Sequence, residues 1–390
     1  MRHRIPAVAL SLATLTAIPL AAQSASQGAS VAGGSDDFGP YTPVANWLKP
    51  IREGFLEKGV SVWAETPDHI FVTTSVEFAV PRRGGGQNAA AEQIPAPRNR
   101  ALISVVDRNG NIKEVWDQWE SLMVMPHYVT ISPYDPTKAV WVLSRETDQV
   151  FKFSHDGKQL LMTLGQDRRT MPECNPATMP RCGNAGGVRR EIRQDAGHFG
   201  QPTAIAFLPD GSFYISDGYS NRRVAKFDKD GKFLFEFGGV GTGPGQFAEN
   251  GQVHGLAIDA QRRIYVCDRG NNRVQIFDEN GKYLTEWANI TGPSDIKITA
   301  DGMAWVVSGR GNRLLQYDTR TGRLVTYWGT YGTGPGQFDD PHYISVDSEG
   351  SLYVAIFSNE KVGVEKYVPR PNADRARMIG QFVVPPMTQN

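Results

Sequence analysis

Residues 202–238 read PTAIAFLPDGSFYISDGYSNRRVAKFDKDGKFLFEFG, and the pattern returns at 253–287 as VHGLAIDAQRRIYVCDRGNNRVQIFDENGKYLTEW and at 293–329 as PSDIKITADGMAWVVSGRGNRLLQYDTRTGRLVTYWG. Looser copies begin at Pro126, at Pro341 and near Gly59, about six units in all. Within a unit, alternating runs of Ile, Val, Phe, Tyr and Trp are broken by hairpin turns such as Asp210-Gly211, Asp230-Gly231, Asn280-Gly281 and Asp301-Gly302. The first stretch supplies four such runs, at 203–207, 212–217, 223–228 and 232–237. Four antiparallel strands in a repeat of this length predict a propeller blade, because radial packing buries both faces of so small a sheet. The fold class is therefore all-β, a six-bladed β-propeller with four antiparallel strands per blade. Residues 377–383 are expected to give the last unit its own fourth strand, and the first unit reads as complete between 59 and 117, so no strand exchange is needed to close the ring.

Composition agrees with this architecture. The 390 residues include 41 Gly and 25 Pro, which favours turns over long helices, and 40% are hydrophobic, enough for a packed core. Lys+Arg and Asp+Glu each number 41, so the net charge is zero and a basic nucleic-acid binder is excluded. Arg2 and Arg4 precede an uncharged run and then small residues, a pattern that predicts a signal peptide over 1–25 and export to a periplasmic or extracellular compartment. No later run is long and apolar enough to span a membrane. Residues 26–58 form a lead-in, 59–385 the propeller and 386–390 a tail, and the mature chain is expected to be a monomer. In an oxidising compartment Cys174 and Cys182, within one Pro-rich loop, predict a disulfide that staples a mobile loop, while Cys267, in the apolar run RIYVCD, predicts a buried free thiol.

Strand one of each blade lines the central channel, and the loops after strand two lie with the interblade loops on one face, here the front face. Two insertions fall there, 81–99 and 166–200. One axis-facing slot near the start of strand one holds Lys58 (in a loose alignment), His127, Thr203, His254, Ser294 and His342 in order. The histidines thus occupy alternate blades, about 120° apart in a six-blade ring, and three imidazoles with an open position make the ligand set of a catalytic zinc. A lone channel histidine is more simply a hydrogen-bonded polar residue, but three of the seven histidines in one slot of alternate blades point to metal. His69 and His155 are read as structural, and His198, at the end of the second insertion, stays undecided. Tyr219, after strand two of blade three, and Arg269, after strand two of blade four, can reach over such a metal as a base and a carboxylate clamp. The alternative is that Asp217, Asn221, Asp268 and Asn272 simply bond their turns and Tyr219 and Arg269 decorate them. The TGPGQF stretches at Thr242 and Thr333 open no helix and carry no following Lys-Ser or Lys-Thr, so they are interblade turns.

The units resemble NHL repeats, and MPHYVTI, HFGQPTAIAF, SDGYSNRRVAKF, PGQF, VHGLAI, DRGNNRVQIF and DPHYISV, across 125–367, are together similar to the peptidyl-α-hydroxyglycine α-amidating lyases. That resemblance implies a six-bladed propeller that splits a C-terminal α-hydroxyglycine into an amide and glyoxylate. It implies a zinc on His127, His254 and His342, catalysis by Tyr219 and Arg269, and a small-molecule or peptide substrate with a carboxylate. The chain departs from the family in three places. The arginine expected after strand two of blade one is Thr73 or Thr74, with Arg82 and Arg83 nearby; the aspartate that follows the third histidine and ligates calcium is Tyr343; and the cysteine after the catalytic tyrosine is Ser220. Asp295 fills the calcium ligand's slot in the preceding blade and leaves room for Ca2+. A non-catalytic NHL propeller that binds a peptide or protein, or a metal-dependent hydrolase on the same scaffold, remains an open alternative.

Overall fold

The computed structural model describes residues 39–50, 58–75, 102–175, 177–179, 181–185, 188–358 and 362–382. The proposed signal peptide, all of the first insertion with Arg82 and Arg83, and the last eight residues lie outside the described residues. Six four-stranded antiparallel sheets follow one another along the chain, with one two-stranded hairpin between the second and third. Blade three is typical: Pro202–Phe207, Phe213–Asp217, Arg223–Phe227 and Phe233–Gly238, within about one residue of the boundaries that the alternation gives. Its first three strands are almost wholly buried, whereas the fourth alternates half-buried and exposed residues, as an outer edge strand must. Between blades the cores are aromatic. Phe213 stacks on Phe227 at 5.6 Å, and Phe237 meets Phe277 of blade four at 4.8 Å. Each such ring contributes about 1.5–3 kcal/mol by burial.

The ring closes differently from the sequence expectation. The fourth strand of blade six is Tyr41–Val44, from the lead-in, which pairs antiparallel with Val362–Pro369. Among the described residues 377–382 there is no such strand: Arg375–Arg377 is a short 3-10 turn, and Phe382 makes an isolated bridge to Thr299. The physical reason is that joining the chain's two ends in one sheet closes the ring with backbone hydrogen bonds. Tyr41 is fully buried 5.6 Å from Trp328, and its hydroxyl accepts a hydrogen bond from Ile379 N at 3.0 Å. Pro43 is tolerated in this strand because an outer edge leaves its missing donor unneeded.

The second insertion is tied to the blades by several contacts. Cys174 and Cys182 are joined, with Cα atoms 5.9 Å apart, and Cys182–Ala185 pairs with Val188–Glu191. Arg168 is buried against the Asp148 carboxylate, Arg181 bonds Asn221, and Asn221 Nδ2 donates to Arg193 O at 3.1 Å. His198 belongs to this anchoring, with Nδ1 2.7 Å from Asp195 and Nε2 2.9 Å from Gln166. Cys267 is free and buried.

Candidate metal centre

Each channel strand starts the same way. The residue before it has a left-handed backbone in five blades: Met125 (φ 54°), Gln201 (66°), Gln252 (73°), Gly292 (55°) and Asp340 (51°). For a non-glycine residue this conformation costs about 1–3 kcal/mol, so its repetition marks a turn that the fold needs. A register irregularity follows one or two residues later in every blade, between Gly59 and Ser61, Pro126 and Tyr128, Pro202 and Ala204, Val253 and Leu256, Pro293 and Asp295, and Pro341 and Ile344. The residue in that bulge leaves the ladder and turns to the axis. In blade one this residue is Val60, not Lys58, which stays in the ladder opposite Ser75. The bulge explains the two-residue error in the loose alignment.

His127, His254 and His342 occupy the bulge in blades two, four and six, all buried. Their ligand atoms lie within 4.8 Å of one another, with His254 Nε2 3.1 Å from His342 Nε2. The opposite nitrogens point outward: His254 Nδ1 lies 2.5 Å from Ser294 O, His342 Nδ1 2.7 Å from Val60 O, and His127 Nδ1 3.4 Å from Thr203 O. A carbonyl only accepts, so each Nδ1 carries the proton and each Nε2 lone pair faces the axis, the tautomer a metal requires. Burial holds all three imidazoles below their usual range, and His342 falls to about 3 with the Arg269 guanidinium adding to the effect. They are therefore neutral at physiological pH.

Tyr219 Oη lies 3.1 Å from His254 Nε2 and 3.4 Å from His127 Nε2, beside the point where the three lone pairs meet. Its loop is fixed by Asp217, which accepts from Asn221 Nδ2 at 2.7 Å, Arg223 Nε at 2.8 Å and Gly200 N at 2.6 Å. Gly218 has no substitute, since a Cβ there would stand 1.9 Å from Val253 O. Asp268 holds the next loop in the same way, through Asn271 and Arg273. Turn bonding and projection toward the axis thus coexist. Arg269 is buried, gives Nη2 to Asp340 at 2.9 Å, and keeps a buried Nε with no hydrogen-bond partner among the described residues.

Arg145 also belongs here, and sequence reasoning missed it. Its guanidinium lies 4.2 Å over the Tyr219 ring, and its charge helps to lower His127 and His342. The signal was available, because Arg145 follows strand two of blade two as Arg269 follows strand two of blade four. Thr73 and Thr74, in place of the family's blade-one arginine, are buried. Asp295 does not fit a calcium site: its carboxylate lies 3.0 Å from Lys297 Nζ and accepts from Ile344 N at 3.1 Å. Its charge is thereby neutralised. A cavity of about 1020 Å³ opens at the rear end of the channel, lined by residues such as Tyr128, Ile258, Ile298 and Val346. It contains none of the histidine trio, and chemistry rather than size places the site at the front.

Comparison with known proteins agrees with this architecture. A profile of the NHL repeat matches residues 251–277. Mouse NHL repeat-containing protein 3 is 32% identical over 295 residues, 69% of this chain and 76% of that protein. The chain belongs to the NHL-repeat family. Peptidyl-α-hydroxyglycine α-amidating lyase 1 of Drosophila melanogaster is 26% identical over 315 residues, which cover 73% of this chain and 52% of the fly protein. The chain thus spans about half the length of that relative. A solved structure of a Bacteroides thetaiotaomicron protein of unknown function shares the fold, with a TM-score of 0.51 at 13% identity over 87% of this chain and 75% of that one.

Proposed function

We propose that this NHL propeller is an exported, zinc-dependent lyase that acts on an α-hydroxyglycine-like substrate and releases an amide and glyoxylate. The observation that carries the proposal is the convergence of three Nε2 lone pairs, each set by a backbone carbonyl on Nδ1, with the Tyr219 hydroxyl beside two of them. A neutral three-imidazole set of this kind suits zinc, which when bound acts as a Lewis acid toward substrate oxygens. His127, His254 and His342 would hold it. Arg269, with its unspent buried Nε–H, binds the substrate carboxylate. Tyr219, acting as its phenolate, takes the proton from the hydroxyl on the α-carbon, and as the C–O bond becomes a carbonyl, the C–N electron pair leaves with the amide nitrogen. The proton passes to that nitrogen, so the products are a neutral amide and glyoxylate. Export rests on residues 1–25 and accords with the Cys174–Cys182 disulfide. Among the described residues no helix is long and apolar enough to cross a membrane.

The deciding experiment supplies the zinc-loaded protein with α-hydroxyhippurate and assays glyoxylate. Release that stops on chelation is the expected result. No release from fully loaded protein would leave a metal-dependent hydrolase or a peptide-binding propeller as the better description.

A further inference from the structure

On the rear face, the hairpin that joins Lys58–Thr66 to His69–Ser75 in blade one meets the turn after Gln149–Phe153 in blade two. Three side chains converge there. Glu65 Oε2 lies 2.9 Å from His69 Nδ1 and 2.8 Å from His155 Nε2, while Glu65 Oε1 accepts from Lys138 Nζ at 2.7 Å. The rings of His69 and His155 are 5.2 Å apart, close to the 4.8–5.0 Å separations within the histidine trio. Phe71 backs the pair, 4.9 Å from His69 in an edge contact. Among the described residues this cluster and the trio are the two groups whose donor atoms lie close enough to share a metal.

We propose that Glu65 Oε2, His69 Nδ1 and His155 Nε2 form a second site, for a zinc-class divalent cation, that ties blade one to blade two. Two imidazoles and one carboxylate are a ligand set that zinc accepts, with water in the open position. The exposure of the groups permits that water: Glu65 is 12% exposed, His69 29% and His155 38%. A hydrogen-bonded triad would require both imidazoles to donate to the same oxygen, whereas a cation lets both offer lone pairs. Lys138 sits on the other oxygen and is 59% exposed, so it can remain as an outer partner or swing into solvent. Its positive charge opposes binding. The site lacks the carbonyl-oriented outer shell of the trio, so it binds more weakly and exchanges faster.

The test uses the whole mature chain, stripped by a chelator and titrated with Zn2+, with bound zinc counted by atomic absorption. The expected count is two ions per chain. His155→Ala and His69→Gln should each remove one, and His254→Ala should remove the other while sparing the rear-face ion. That last variant separates this site from the lyase reading, since rear-face zinc survives there whether or not the trio binds metal. Lys138→Ala changes an exposed side chain, threatens folding least, and should tighten the rear-face ion severalfold, an effect that a purely structural triad does not predict. A zinc count untouched by both histidine changes, or an affinity untouched by Lys138→Ala, would overturn the proposal.

Discussion

Blades two, four and six and blades one, three and five use the same bulge of the same strand for opposite halves of one task. The even blades present His127, His254 and His342, whose imidazoles would be the ligands of the proposed zinc. The odd blades present Thr203, Ser294 and Val60, and what the site uses from each is a backbone carbonyl that accepts from the preceding histidine's Nδ1. A hydroxyl, another hydroxyl and an isopropyl group serve equally well, because none of them is the orienting atom. The difference shows how a repeat protein can build a centre of threefold character from six similar units. On the proposed reading, alternate units would supply the ligand, and the units between hold its tautomer through a backbone carbonyl.

The largest expected effect comes from breaking an even blade. His254→Ala should abolish zinc binding at the front-face centre and reduce glyoxylate release to background, since two remaining imidazoles no longer close the ligand set. Full zinc at that centre in the variant, measured with the rear-face cluster removed by His155→Ala, would show that the histidines do not share one ion. Next is Tyr219→Phe, which asks whether odd blade three contributes a reacting side chain as well as a carbonyl. Loss of a positioned base typically costs about 10²- to 10⁴-fold in turnover, with zinc retained. Unchanged turnover would confine the odd blades to their backbone role.

The same contrast explains what the sequence made legible. Positions that depend on a particular side chain announce themselves, so His127, His254 and His342 stood out once the units were aligned, as did Tyr219 and Arg269 on the loops that Asp217 and Asp268 tie down. Positions that depend on the backbone leave no such trace, and a loose alignment puts Lys58 in the slot that Val60 fills. Ring closure was hidden for a related reason. Tyr41–Val44 is four residues long, too short for alternation to show, and its partner Val362–Pro369 lies at the far end of the chain. The pairing of Cys174 with Cys182 is local and was readable. Arg145 follows strand two of blade two as Arg269 follows strand two of blade four, so its signal lies in the aligned pattern. Glu65, next to last in its strand, and His69, first in its own, flank a hairpin turn of blade one, His155 lies in a turn of blade two, and no periodicity relates them.

A smaller effect is expected where the alternation is least complete. Of the three Nδ1 contacts, His127 to Thr203 O is the longest, at 3.4 Å, and Tyr343 fills the gap: its hydroxyl lies 3.1 Å from His127 Nδ1 and donates to Thr203 O at 2.7 Å. Its ring also stacks on His254 at 5.2 Å. Tyr343→Phe keeps the stacking and removes the relay, so zinc affinity should fall about 10-fold or somewhat more, the usual cost of an outer-shell change. Competition against a chelator of known affinity measures this directly. No change would mean that the longer direct contact suffices.

The smallest effect belongs to the side chain of an odd slot. Ser294 Oγ donates to Pro341 O at 2.9 Å and approaches Val307 O at 3.3 Å, bonds that join blade five to blade six and its own second strand but leave the Ser294 carbonyl on His254 untouched. Ser294→Ala should therefore cost about 1 kcal/mol of stability, the net value of a typical buried hydrogen bond, with zinc affinity and glyoxylate release unchanged. Denaturant unfolding of the metal-stripped protein and zinc competition on the folded protein read the two quantities separately. If zinc affinity drops together with stability, the odd-blade side chains take part in holding the ligands, and the division between side-chain and backbone blades is too sharp. If stability alone moves, the carbonyl is the working atom, and exchange of the Ser294–Asp295 amide for an ester, which weakens that carbonyl as an acceptor without altering any side chain, should lower zinc affinity where Ser294→Ala did not.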